Sequence, residues 1–106
     1  MSEETRREFI RLVEYAATTL AQPTELQGDW CFWKLEVALD ARTRVFVMHS
    51  VRESTKSTTV LVESNDEQHV IVTFAARGEL WVDESYNQRL MDKLQAMLLL
   101  DLIARV

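Results

Sequence analysis

From Trp33 to Leu39 the side chains alternate without a break: Trp33, Leu35, Val37 and Leu39 point one way, Lys34, Glu36 and Ala38 the other. A period of two is the signature of a strand with one buried and one exposed face, and no helix accommodates it. The strand predicted over Trp30–Leu39 therefore needs neighbours on both sides and an apolar layer above it. The rest of the chain is read by asking what supplies them.

Val45–Val51 repeats the pattern, with Val45, Val47, His49 and Val51 in one phase and Phe46, Met48 and Ser50 in the other. Reading Asp40–Arg44 as the loop sets Leu39 opposite Val45, Val37 opposite Val47, Leu35 opposite His49 and Trp33 opposite Val51. A slip of one residue would oppose these valines to Lys34 and Glu36, so the chosen register keeps the apolar phases together. Arg52–Ser57 reads as a polar loop, Thr58–Glu63 as a third strand and Glu67–Ala75 as a fourth, with Ser64-Asn65-Asp66 the turn between them. That turn places Val60 opposite Val70, in phase with Val62, Val72 and Phe74. Ala76-Arg77-Gly78 has the form of a hairpin turn with glycine at a positive φ, setting Leu80 opposite Phe74 and Val82 opposite Val72 in a fifth strand. Short links throughout favour an antiparallel meander.

A helix is predicted on each side of the strands. Over Ser2–Ala21, Phe9, Ile10, Leu12, Val13, Ala16, Ala17 and Leu20 share an arc, and Pro23 forbids continuation. Thr5 with Glu8 has capping-box spacing, and Ser2 ahead of Glu3 and Glu4 is an alternative start. The second helix is predicted from about Glu84 to Ala104, capped by Asp83 or Ser85. Its first half is one-faced, whereas Leu99, Leu100, Leu102 and Ile103 spread round the circumference of its end. Such an end calls for burial on all sides, and these four residues are the predicted dimer interface. The fold class is thus α+β: an N-terminal helix, a five-stranded antiparallel meander and a C-terminal helix, in one domain over residues 1–106. A chain of 106 residues can bury its own core, and two glycines and one proline leave little for long loops.

Composition narrows function by exclusion. The net charge of −5 argues against nucleic acid or an anionic membrane as the main partner, although Arg6, Arg7 and Arg11 cluster on the first helix and Arg42 and Arg44 in a turn. The longest apolar run, Ala96–Leu100, is too short to span a bilayer, and the first residues do not form a signal peptide. A single cysteine, Cys31, forms no internal disulfide; the predicted location is cytoplasmic.

No phosphate loop, zinc spacing or nucleophile elbow occurs, so neither cofactor nor metal is expected and catalysis is not favoured. His49 falls in the inward phase and His69, with Ile71 and Thr73, in the outward one. The register holds Cys31 roughly 13 Å from His49, beyond thiolate–imidazole contact. Asp101 sits on the arc of Leu90, Leu94 and Met97, either turned inward or solvated as that arc rotates.

The outward phase carries Phe32, Phe46, Met48, Leu61, Ile71 and Trp81 among Lys34, Glu36, Thr59 and Thr73, more apolar than a solvated face requires. Phe32, Phe46, Met48, Ile71 and Trp81 are the predicted protein-binding surface. The expected function is a small acidic protein-binding module, an adaptor, inhibitor or chaperone-like protein acting as a homodimer. The alternative is a small-molecule-binding or catalytic domain with a pocket between sheet and helices.

Overall fold

A computed structural model of the chain describes residues 2–106. The order is helix α1 (Glu3–Leu20), strands β1 (Thr24–Leu26), β2 (Trp30–Ala38), β3 (Thr43–Arg52), β4 (Thr55–Ser64), β5 (Glu67–Arg77) and β6 (Leu80–Tyr86), then helix α2 (Gln88–Arg105). The strands form one antiparallel sheet in sequence order. The predicted class holds, with six strands in place of five. The added strand, β1, is a short edge whose three residues are all exposed, so no burial pattern marks it. Gly28 (φ 82°) and Asp29 (φ 64°) turn the chain from β1 into β2.

Both helices lie on the same face. α1 packs against β2 and β3, α2 against β5, and the helices touch each other. One buried cluster joins Phe9, Ile10, Val13, Ala16 and Ala17 of α1 and Met91, Leu98 and Leu102 of α2 to the inward residues of the sheet. Ser2 caps α1, its side chain accepting from the Thr5 amide.

Pairing in the sheet differs from the expected register in instructive ways. Val37 opposes Val45, Leu35 opposes Val47, Trp33 opposes His49 and Cys31 opposes Val51. This is a shift of two residues, so every face assignment in β2 and β3 survives. The cause is a tight link: the amides of Leu39 and Asp40 both donate to the Thr43 carbonyl, and the Asp40 carboxylate accepts from the Arg42 amide at 2.8 Å. Leu39 therefore belongs to the turn. Backbone and side-chain donors around Asp40 hold its carboxyl below the ordinary range. The expected loop Arg52–Ser57 is mostly strand, turned at Glu53 and Ser54 with Glu53 at φ 53°.

Two bulges shift the register of β5 and β6: Val72 and Phe74 stay inward as expected, whereas Val70, Leu80 and Val82 do not. Asn65 and Asp66 form a two-residue turn with both φ positive, which sets Val62 opposite His69 and Leu61 opposite Val70. Val60 then meets Val72, so Ile71 is an extra residue in β5. Ile71 and Val72 are both buried, Ile71 at 1% exposure. The bulge keeps two successive apolar side chains on the helix side and leaves Val70 outside. A second turn at Gly78-Glu79 sets Leu80 opposite Arg77 and Trp81 opposite Ala76, after which the register shifts and Phe74 faces Glu84. Leu80, expected against Phe74, stands 71% exposed at the hairpin end, and Val82 is exposed at the bulge.

The second helix starts later than expected. Tyr86 still pairs with Val72, and the Asn87 amide donates to the Ile71 carbonyl at 2.7 Å. The Asn87 side chain caps the helix by accepting from the Leu90 amide. Asp83 and Ser85 cap nothing; they are strand residues.

Candidate functional site

Because both helices occupy one side, the other side of the sheet is bare, and its residues follow from the pairing. Phe46, Leu61 and Val70 form one row across β3, β4 and β5. The row beside it holds Lys34, Met48, Thr59, Thr73 and Ser85, and the next holds Phe32, Ser50, Ser57, Ala75 and Asp83. A shallow groove of about 180 Å³ runs between Lys34, Phe46, Met48, Leu61 and Gln68. The Lys34 ammonium stands 5.1 Å from the centre of the Phe46 ring, Arg44 pairs with Glu36 at 2.8 Å, and Gln68 donates to Glu63. The face thus has an apolar centre and a margin with balanced charges.

Of the five residues assigned to this surface, Phe32, Phe46 and Met48 lie on it, half-buried by their strand neighbours. Ile71 and Trp81 do not. The first bulge turns Ile71 into the core, and the register at Ala76 turns Trp81 toward the helices. The Trp81 ring lies 4.7 Å from that of Phe74, with the Arg7 guanidinium over it at 4.1 Å. Val70, expected in the inward phase opposite Val60, instead pairs with Leu61 and completes the outer row. The same bulge moves His69 to the phase of Val62, where it is exposed beside Glu67.

Trp81 instead lines a cleft of about 400 Å³ between α1 and the β5–β6 turn, with Ile10, Arg11, Glu14, Lys56, Ala76 and Glu79. Its cations are matched: Lys56 pairs with Glu14 at 3.1 Å and Arg11 with Glu8 at 2.9 Å. Two members of the basic cluster of α1 are held against the fold, while Arg11 stays exposed. Arg7 also pairs with Glu3, and Arg6 donates to Gln88 and lies over the Tyr86 ring. Burial, followed by the neighbouring Glu84, raises the Tyr86 phenol above its ordinary value.

His49 is buried, as its inward phase implies, and shares a hydrogen bond of 2.7 Å with the Thr58 hydroxyl. The Trp33 ring lies 5.6 Å away, across the strand pair. Cys31 stands one same-face step from His49, closer than the expected register gave, but opposite Val51. Among the described residues no group of three or more His, Cys, Asp or Glu converges as a metal site would require.

Burial lowers the pKa of His49 from 6.5, while Glu14 opposes and Lys56 reinforces the shift. The unfolded chain therefore binds a proton that the folded chain resists, and stability should fall as pH drops below 6.5 toward the depressed folded value. Urea melts of the wild type and His49→Gln at pH 7.5 and 5.5 check this. The glutamine variant should lose less stability between the two, and equal losses would remove His49 as the cause.

The predicted dimer residues also separate. Leu102 is buried in the core and Leu99 packs against its edge, whereas Leu100 and Ile103 are exposed. Asp101 is paired with Arg105 along the helix. Among the described residues no helix is long and apolar enough to cross a membrane. Comparison with protein-family models, with curated proteins and with solved structures finds no match.

Proposed function

We propose that the chain is a non-catalytic protein-binding module, an adaptor or inhibitor, that takes an amphipathic helix of another protein on the bare face of its sheet. The observation that carries this is the placement of both helices on one side, which leaves Phe46, Met48, Leu61 and Val70 uncovered on the other. The row Phe46–Leu61–Val70 runs across the strands, where the spacing is about 4.8 Å. A helix advances about 5.4 Å per turn, so side chains one turn apart meet successive strands. Lys34 and Arg44 against Glu36 and Glu63 give the margin both signs, which suits a partner helix with mixed polar flanks.

A photo-crosslinking residue placed at Met48, with one at the exposed Tyr15 as control, identifies the partner and the contacting segment by mass spectrometry. The expected result is a capture specific to Met48, through an amphipathic helical segment. Met48→Glu should then weaken the purified pair about tenfold or more at an unchanged melting temperature. A contacting segment that is not helical, or an affinity indifferent to Met48→Glu, would overturn the reading.

The α1–β6 cleft favours a second reading, a small-molecule site, because about 400 Å³ lies within the usual range for ligands. It ranks second because its cations already hold carboxylates. Native mass spectrometry of the purified protein separates the two, since only this reading expects a bound small mass.

A further inference from the structure

The bare face of the sheet carries a charge pattern that is its own complement. Lys34 and Glu36 point outward from β2 two residues apart, and both are exposed, since β1 pairs with β2 only as far as Phe32. Lys34 leans over the Phe46 ring, and among the described residues no carboxylate pairs with it. Glu36 accepts from Arg44 through Oε1. The row that starts at Glu36 continues through Phe46, Leu61 and Val70. The row that starts at Lys34 continues through Met48, Thr59 and Thr73.

We infer that a second copy of the chain closes this face when no partner helix holds it. The two sheets pack face to face about a two-fold axis that runs across the strands, midway between those two rows. Rotation about that axis lays each row on the other. Lys34 of each copy then meets Glu36 of the other, so the ion pair forms twice, as an isologous interface requires. Phe46 falls on Met48, and Leu61 and Val70 fall on the methyl groups of Thr59 and Thr73. The rows beyond obey the same operation: Arg44 is laid on Ser50 and Glu63 on Ser57, and no like charges meet. A two-fold along β4 instead lays Lys34 on Ser85 and leaves Glu36 beyond the end of β6, with no ion pair. Charge therefore selects both the occupant and its orientation. Packed sheets lie about 10 Å apart, a gap that a lysine and a glutamate reaching toward each other can span.

Four rows on five strands, with strands about 4.8 Å apart and rows about 6.8 Å apart, span roughly 20 by 20 Å. That footprint is below the roughly 800 Å² per partner of a standard interface, so the pair should be of micromolar strength and open to displacement. The pair masks the site proposed above, and it rests on that reading only for the identity of what displaces it.

Sedimentation from roughly 1 to 200 µM should show the mass rising from monomer toward dimer. Lys34→Glu and Glu36→Lys, each with the melting profile of the dilute wild type, should each weaken the pair about tenfold or more, because each sets like charge on like. Mixed in equal amounts, the two variants should pair with each other, and the double exchange Lys34→Glu/Glu36→Lys should pair with itself. A wild type that remains monomeric, a single exchange that leaves the mass unchanged, or a mixture that stays monomeric would each overturn the pairing. A Met48 crosslink to a second copy reports this pair and one to another protein reports the partner, so the two readings can fail separately.

Discussion

Phe74→Ala is expected to lower the unfolding free energy by about 3–5 kcal/mol, whereas Leu80→Ala should change it by no more than about 0.5 kcal/mol. The contrast tests the register of the last hairpin. If Leu80 lay opposite Phe74, as an unbroken alternation would have it, both side chains would be core and both truncations would be costly. In the structure Phe74 is buried beside Trp81, with the Lys56 ammonium 5.9 Å from its ring, and Leu80 sits at the exposed end opposite Arg77. Removing the Phe74 ring leaves a cavity beside Trp81 that the paired strands cannot close without breaking their register. Against a total stability of ordinarily about 5–15 kcal/mol, such a loss is large enough to read from urea melts. Equal losses at Phe74 and Leu80 would refute the bulge at Val82.

That hairpin marks where the sequence stops being legible. In β2, Lys34 and Glu36 separate Trp33, Leu35 and Val37 and give that strand its phase. Val45–Met48 of β3 is itself an unbroken apolar run and takes its phase from the pairing with β2, which survives a displacement by two. Val70-Ile71-Val72 offers no such punctuation. Three successive apolar residues fit either phase, and the choice is made by the turn at Asn65-Asp66 together with the room beneath α2. A bulge that keeps both Ile71 and Val72 inside satisfies the turn and the core at once. Local sequence does not encode that compromise.

The same holds for the start of α2. Ser85 and Gln88 have capping-box spacing, but Tyr86 gains a strand partner in Val72, and the helix waits until Asn87. The consequences for the candidate surface follow directly. Phe32, Phe46 and Met48 come from strands with a readable phase and are where the alternation puts them. Ile71 and Trp81 lie beyond a bulge and are on the other side. Thr24–Leu26 is not legible in the sequence because an edge strand with three exposed residues has no hydrophobic period.

Leu102→Ala should cost about 2–5 kcal/mol, and by the same amount in dilute and concentrated protein. Sequence alone groups Leu102 with Leu99, Leu100 and Ile103 as surplus apolar residues at the end of a helix. In the fold it is fully buried with Met91 and Leu98, one full turn from Leu98 on the side that meets the sheet and α1. A core truncation destabilises the folded monomer itself. Its effect is then the same whether or not two copies associate, and at a urea dependence of about 1.5 kcal/mol per molar the midpoint should fall by roughly 2 M. An interface truncation behaves differently, because its cost appears only where dimer is populated and vanishes on dilution. Melts of Leu102→Ala at low and high micromolar concentration therefore distinguish the two roles. A loss that disappears in the dilute sample would move Leu102 out of the core and into the contact between copies.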